Sequence, residues 1–145
     1  MAEGRGLVSI PSTMMRGGTS RGVFFRSADL PADPVVRDQV LIAALGAPHP
    51  LQVDGIGGGH PLTSKVAIVG PPSVPNADVD YLFAQVNVDR ASVDTSPTCG
   101  NLLAAVGPFA LETGLIKADA PVTAVRVHHV NTGAISTALL PTPGR

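Results

Sequence analysis

Two residues of this chain are the strongest candidates for proton transfer, the single cysteine Cys99 and Lys65. Cys99 stands where a helix is predicted to begin, in front of an apolar run that continues to Leu111. The first N–H groups of a helix have no partner within it, so a carboxylate fits there and a thiol ionises more readily. Gly100 would let such a ligand approach the backbone closely. The alternative is that Cys99 is a small buried hydrophobe that fills the core.

Lys65 ends the polar run Thr63-Ser64-Lys65 and is followed at once by the apolar residues 66–69. The predicted strand therefore enters the interior immediately, and its lysine lies at the threshold, near other polar loops. If Lys65 faces the positive end of the cysteine helix, its ammonium form is disfavoured and it can act as a general base. The alternative is a solvated lysine at a strand edge.

The helix that begins at Cys99 determines the fold that we predict. Within Thr95–Ile116 no polar face appears before Glu112, and a helix that is apolar all round must be enclosed on all sides. We expect Ser96 or Thr98 to cap its start and Gly114 to end it. Such a helix belongs inside a sheet or barrel.

Short strands and one further helix account for the rest of the chain. The predicted strands cover residues 7–15, 23–26, 64–69, 79–88, 122–130 and 134–140, and the second helix covers residues 35–45 after an Asp33-Pro34 start. The polar, glycine-rich residues 16–22 form the tip of a hairpin. This order predicts the α+β class, with a mixed curved sheet wrapped around a central buried helix.

Residue spacing excludes several other kinds of site. The glycine-rich residues 54–60 match neither the dinucleotide pattern nor a phosphate loop, so we interpret them as a flexible turn. The four histidines show no zinc-ligand spacing, and successive strand residues such as His128 and His129 point to opposite faces. A serine hydrolase is disfavoured because no Gly-x-Ser-x-Gly elbow occurs. No metal is therefore expected.

Composition limits the partners and the compartment. The 145 residues suit one domain, and a net charge of -1 gives no reason to expect nucleic acid or a membrane surface as a partner. One cysteine forms no internal disulfide, and no signal peptide or membrane-spanning run is found, so a cytoplasmic location is expected. Only 14% of residues are charged, which suggests that another domain or subunit covers part of the surface.

Three separate motifs of the chain, taken together, resemble the signatures of one family, the PrpF family. These motifs are Met15–Gly22 (MRGGTSRG), Leu62–Ala67 (LTSKVA) and Cys99–Asn101 (CGN). The family comprises 2-methylaconitate cis-trans isomerases, 3-methylitaconate isomerases and 4-oxalomesaconate tautomerases, and the resemblance runs from about Ser12 to the end of the chain. Three further segments look closest to the tautomerase branch, which implies a role in aromatic degradation: residues 54–58, 80–86 and 106–112.

The resemblance implies a diaminopimelate-epimerase-like fold with two similar domains and the active site in the cleft between them. Lys65 and Cys99 would be the acid–base pair, and neither a metal nor a cofactor is implied. Family members are much longer, so we interpret residues 1–145 as most of an N-terminal domain. We therefore expect the second domain to be missing from this chain. A second copy of the chain, in a homo-oligomer, is the alternative partner for this domain. Arg21 departs from the lysine of many relatives, which keeps the charge but alters hydrogen bonding.

From these residues we predict a cofactor-independent isomerase or tautomerase. It would move a proton by a keto–enol or 1,3-allylic shift on a small unsaturated tricarboxylate such as 4-oxalomesaconate. The predicted substrate-binding residues are Arg16, Gly18, Thr19, Ser20, Ser64, Gly100 and Asn101. We expect Lys65 and an accessible Cys99 thiol on opposite sides of a space wide enough for a planar acid. Which of the two is the base stays open.

Two alternative functions remain. Within the same enzyme class, the chain would be a 2-methylaconitate cis-trans isomerase. In a different class, it would be a carboxylate-binding or assembly fragment without catalytic activity.

Overall fold

The computed structural model describes residues 7–144, which form seven strands and two α-helices. In chain order these are β1 (Thr13–Gly17), β2 (Ser20–Arg26), α1 (Pro34–Leu45), β3 (Lys65–Gly70), β4 (Val79–Val86), β5 (Val93–Asp94), α2 (Gly100–Glu112), β6 (Val122–His129) and β7 (Ile135–Pro141). Single turns of 3-10 helix occur at Ser27–Asp29 and Pro61–Thr63. Within the described range, neither α-helix has the length and apolarity that crossing a bilayer would require.

All seven strands join one mixed sheet in the order β1-β2-β3-β4-β6-β7, and the short β5 pairs with β4. The β2–β3 and β4–β6 pairs are parallel, and the other pairs are antiparallel. The sheet curls into a half-barrel beside α2. The predicted α+β class, with a curved mixed sheet against a central helix, is thereby confirmed.

Each face of the sheet packs against one helix. Ala67 and Val69 of β3 face α2, where the tilted rings of Phe24 and Phe109 pack with their centroids 5.4 Å apart. Val66 and Ile68 alternate to the other face, in the cluster that includes Leu41 of α1. Because both faces are covered, every residue of β3 is buried, as is usual for a strand in the middle of a sheet with two covered faces.

The first hairpin differs from its prediction at both ends. β1 begins at Thr13 rather than at residue 7, because Pro11 lacks the N–H that a ladder requires. The strands then continue into the predicted tip, which leaves only Gly18 and Thr19 in the turn. Gly18 has a φ of 52°, a value that favours glycine. The polar tip is therefore largely strand, and Ser20 gains a fixed direction.

The central helix α2 is not enclosed on all sides, which corrects the prediction. Leu102, Val106 and Phe109 are buried against the sheet, whereas Asn101 and Ala104 on the opposite side are exposed. The half-barrel covers one side of the helix, which contacts β1, β2, β3 and β7. Small and apolar residues on the open side gave the sequence its uniform appearance.

The glycine-rich loop at residues 54–60 is closely packed and not flexible. The predicted flexible turn at residues 54–60 is docked on the end of α1, where Ile56 and Gly57 donate N–H groups to the carbonyls of Ala44 and Leu45 at 2.9 and 3.1 Å. A Cβ on Gly57 would lie 2.1 Å from Oε1 of the buried Gln52. Close packing, and not flexibility, accounts for this glycine run.

Candidate functional site

Lys65 and Cys99 meet where β3 begins and α2 begins. The Lys65 Nζ donates to Ser20 Oγ at 2.8 Å and to Cys99 Sγ at 3.4 Å, and it lies 5.7 Å from the centre of the Phe83 ring. The parallel β2–β3 register sets this position by pairing Gly22 with Lys65. The structure therefore places the lysine in contact with the thiol, not in solvent at a strand edge.

Cys99 is the residue that caps α2. Its extended backbone turns into the helix, and its Sγ accepts the N–H of Leu102 at 3.5 Å. The predicted caps have other partners: Ser96 donates to Asp94, and Thr98 contacts His129. Sulfur replaces the usual oxygen cap, so the thiol is held at the helix start.

Two expectations about this pair are wrong. The two groups do not flank an open space, because 3.4 Å between Nζ and Sγ leaves no room for a planar acid between them. Nor is the thiol accessible, since Cys99 and Lys65 are only 7% and 8% exposed. The hairpin and the helix start close over the pair, so a substrate would have to lie above it.

The hairpin tip is bound to the helix start through Asn101. Its Nδ2 donates to Thr19 Oγ1 at 3.1 Å and to Ser20 Oγ at 3.4 Å. A Cβ on Gly17 would lie 2.2 Å from the Asn101 carbonyl oxygen, and one on Gly18 would lie 3.0 Å from the Asn101 Oδ1. Only glycines permit this approach, which brings the hydroxyl of Ser20 to the lysine and the hydroxyl of Thr19 to the Asn101 side chain.

Gly100 is the open point of the site. A Cβ added there would meet no atom within 4 Å. The backbone N–H groups of Gly100 and Asn101 have no acceptor among residues 7–144, as expected for the first residues of a helix. This arrangement can accept a carboxylate oxygen.

Two predicted binding residues lie elsewhere. Ser64 is fully buried, and its hydroxyl donates to Val86 O at 2.7 Å and accepts from Gln52 at 2.8 Å. Although Ser64 precedes Lys65 in the chain, its hydroxyl therefore has other partners than the Lys65 amine. Arg16 alternates with Gly17 along β1 and so points to the opposite face from the Lys65 contact. It is exposed, donates to Gly18 O at 3.0 Å, and pairs across the strands with Arg21.

Tyr81 contacts the site, although no motif of the sequence predicted this role. Its hydroxyl donates to the carbonyl of Cys99 at 3.0 Å. Burial raises the pKa of Tyr81, with a smaller contribution from Cys99, so the phenol stays neutral. A signal was available: this is the only tyrosine of the chain, it lies in a buried strand, and a buried tyrosine hydroxyl usually has a hydrogen-bond partner.

The histidines bind protein groups. His49 and His60 accept backbone N–H groups of Leu51 and Leu62, whereas His128 contacts Asp80 and His129 contacts Thr98 and Ser136. Hence His128 and His129 face different partners, as the strand alternation predicted. Across residues 7–144 no group of three or more histidine, cysteine, aspartate or glutamate side chains is placed to hold a metal ion.

Protonation of His129 should weaken the fold in mild acid. Burial, and to a lesser extent the neighbouring His128, lowers the pKa of His129 below its usual 6.5. The unfolded chain then binds the extra proton first, so the free energy of unfolding should fall as pH decreases below about 6.5, by up to about 1.4 kcal/mol per pH unit. Urea titrations between about pH 5 and 6.5 measure this slope, above the range in which the carboxylates of Asp78 and Asp80, whose pKa values are lowered in the fold, affect stability.

The same titrations on His129→Gln test the assignment. The variant should lose stability at neutral pH but show a shallower slope below pH 6.5. Equal slopes in the two proteins would contradict the assignment of this pH dependence to His129.

Comparisons with known proteins identify what the chain is similar to. A family model described as PrpF protein matches residues 7–144. The chain is 58% identical to "Putative isomerase YbhH" of Escherichia coli strain K12, 55% identical to the 4-oxalomesaconate tautomerase of Pseudomonas putida, and 46% identical to the 2-methyl-aconitate isomerase of Cupriavidus necator. These matches cover 92%, 94% and 87% of the chain but only 38%, 38% and 34% of the relatives. The chain thus spans little more than a third of their length.

Solved structures show the same relation. A methylitaconate-delta-isomerase superposes with a TM-score of 0.89 at 48% identity, over 91% of this chain and 34% of that one. A probable proline racemase from Agrobacterium radiobacter superposes with a TM-score of 0.51 at 16% identity, over 83% and 34% of the two chains. The second likeness shows the fold alone, and with the first it confirms the predicted epimerase-like fold.

Proposed function

The chain belongs to the PrpF family, and from this membership we propose that the protein is an isomerase that moves a proton within a small unsaturated polycarboxylate. The observation that carries the proposal is the contact between Lys65 Nζ and Cys99 Sγ at the start of α2. Two groups able to exchange a proton lie beside a helix start that accepts a carboxylate. The names of the similar proteins, all isomerases or tautomerases, support the same reaction class.

The proposed reaction needs one base and one acid. The base takes a proton from the carbon next to a carbonyl or carboxylate, and the electron pair of that C–H bond passes into a dienolate. The acid then gives a proton to the far end of the dienolate, and the double bond is moved. Because Lys65 and Cys99 are 3.4 Å apart, a proton passing between them restores both groups for the next turnover.

The dienolate requires donors that are already in place. The free N–H groups of Gly100 and Asn101 would bind one carboxylate, and the open space above Gly100 admits it. The hydroxyls of Thr19 and Ser20 can supply further contacts, since both lie within 3.4 Å of the Asn101 amide. The substrate would then lie over the lysine and the thiol, not between them.

We propose 4-oxalomesaconate as the substrate and 2-methylaconitate as the second candidate. The tautomerase of Pseudomonas putida is 55% identical to the chain, whereas the 2-methyl-aconitate isomerase of Cupriavidus necator is 46% identical. The 58% identical relative names no substrate, so identity alone does not choose. Following the ultraviolet absorbance of both acids with the purified protein tests the proposal. Turnover of neither acid, with tight carboxylate binding, would instead support a non-catalytic binding module.

We further propose that the site is completed by a second domain or a second copy of the chain. The relatives are longer, and the outer surface here offers apolar residues to cover: Leu139 is 68% exposed and pairs with Ala124 on the outer face of β6 and β7. Measuring the activity of the purified 145-residue chain together with its molecular mass in solution tests this. Full activity of a monomeric 145-residue chain would overturn it.

A methyl group at residue 100 should weaken substrate binding without harming the fold. Gly100→Ala places its Cβ in open space, so we expect unchanged stability and a KM raised by roughly 10-fold. Gly144→Ala is the matched control, because its Cβ would lie at an ordinary 3.7 Å from Ala120, far along the chain from the site. Steady-state kinetics and thermal unfolding of both variants provide the measurement. An unchanged KM in Gly100→Ala would show that no substrate carboxylate binds at this position.

A further inference from the structure

The segment Thr95–Cys99 leads into α2 without regular secondary structure, yet three side chains bind it. Asn131 Nδ2 donates to Thr95 O at 2.7 Å, and His129 Nδ1 lies 2.9 Å from Thr98 Oγ1. Tyr81 donates its hydroxyl hydrogen to Cys99 O at 3.0 Å. The segment that delivers the thiol is thus bound at its first residue and at its last two.

These three side chains form one connected unit. Tyr81 and His129 are partners in the β4–β6 register, and their rings meet edge to face at 5.6 Å. Asn131 accepts the N–H of Phe83 and donates to its carbonyl, both at 2.8 Å, and so continues the ladder beyond β6. The second ring nitrogen of His129 lies 2.8 Å from Ser136 of β7. Each of the three side chains is therefore held by the sheet as well as by its contact with the segment.

The unit adds no charge beside the reacting pair. Burial raises the pKa of Tyr81 and lowers the pKa of His129, so both are neutral near pH 7, and asparagine is always neutral. Neutral hydrogen bonds can hold a backbone without competing for the proton that Lys65 and Cys99 exchange.

We propose that Tyr81, His129 and Asn131, named here the loop anchor, position Cys99 against Lys65. None of them contacts the sulfur, so they are positioning residues that act through the backbone. The carbonyl of Cys99 accepts from both Tyr81 and the N–H of Leu103, at 3.0 and 3.3 Å, so one hydrogen bond from Tyr81 fixes the cysteine and the helix start together. The catalytic meaning of this positioning rests on the function proposed above.

Tyr81→Phe tests the loop anchor because it keeps the ring packing and removes only the hydroxyl. We expect kcat to fall roughly 3- to 30-fold with little change in KM, because a displaced reacting group loses rate more than binding. Alkylation of Cys99 by iodoacetamide, without substrate, should accelerate roughly 2- to 10-fold as the segment opens more often. Thr98→Val, which removes the hydroxyl that His129 contacts, should change both quantities in the same directions.

Thr123→Val is the matched control. It also removes a buried hydroxyl with satisfied hydrogen bonds, to Asp119 and Thr142, but at the opposite end of β6. It should lower stability while the alkylation rate and kcat stay at wild-type values. Cys99 is the only cysteine, so mass spectrometry reads its modification directly.

Each result decides the proposal. Wild-type alkylation and kcat in both Tyr81→Phe and Thr98→Val would overturn it, and so would an equal acceleration in Thr123→Val, which would indicate general loosening. If Tyr81→Phe does not fold, Thr98→Val decides alone, since Thr98 is exposed. A wild-type protein that turns over neither acid, with the predicted alkylation pattern, would refute the proposed function and support the loop anchor.

Discussion

Lys65→Ala should lower kcat by roughly 10²- to 10⁴-fold, the usual loss when an acid–base group is removed. The ammonium or amine of Lys65 contacts both Ser20 and Cys99, so its removal takes away one proton carrier and the hydrogen bond to the other. Cys99→Ala should cost a similar factor. Steady-state kinetics on the purified protein measures both losses.

Lys117→Ala is the control for this prediction, because Lys117 is the one other lysine of the chain and is exposed. It should keep wild-type kcat. The double variant of Lys65 and Cys99 should be little worse than either single variant, since one proton transfer is useless without the other. Near-normal turnover in Lys65→Ala would refute the mechanism.

Solvent deuterium separates the two roles. When the acid is removed and the base remains, exchange of the substrate's acidic proton should persist while isomerisation stops. When the base is removed, both should stop. Comparing Lys65→Ala with Cys99→Ala therefore assigns the base, provided that circular dichroism shows both variants folded.

Gly17→Ala should be the most disruptive single methyl group in the hairpin. Its Cβ would lie 2.2 Å from the Asn101 carbonyl oxygen and 2.9 Å from Leu102 Cα, and both are backbone atoms that cannot rotate away. We expect the free energy of unfolding to fall by about 1–3 kcal/mol or more, as for other overpacked sites. Because the helix start must shift, kcat should fall as well.

Urea unfolding of Gly17→Ala and Gly100→Ala provides the comparison. Both variants add the same methyl group to the same junction, but the Gly100 position is open. Only Gly17→Ala should lose stability. Equal stability of the two variants would mean that the hairpin and helix do not pack as closely as described.

The elements were predictable from sequence, whereas their contacts were not. The Asp33 cap and Gly46 end of α1 are confirmed, because capping depends on neighbouring residues. The pairing of Lys65 with Cys99 was inferred from helix electrostatics and family resemblance. The predicted distance between the two side chains was wrong, because we expected room for a planar acid between them and they are in contact. That distance depends on the β2–β3 register and on two glycines, which no local pattern encodes.

Ser64 and Tyr81 show the same limit from opposite directions. Ser64 precedes the lysine in the chain and looked like a donor, yet the alternation of the strand turns its hydroxyl toward Gln52. Tyr81 lies in a predicted strand with no polar motif. It pairs with His129 in the sheet, and its hydroxyl donates to the carbonyl of Cys99. The direction in which a side chain points thus depends on how the strands pair in the folded sheet.

The spacing of the site along the chain has a consequence for how the protein folds. Its contacts join residues 34, 45 and 82 positions apart, for Cys99 with Lys65, Lys65 with Ser20, and Asn101 with Thr19. Contacts of such long range form slowly, because the entropy of closing the intervening loops must be lost first. During synthesis the hairpin leaves the ribosome long before the helix that closes over it. We therefore expect the site to form later than the local hairpins of the sheet, an order that hydrogen exchange during refolding would measure.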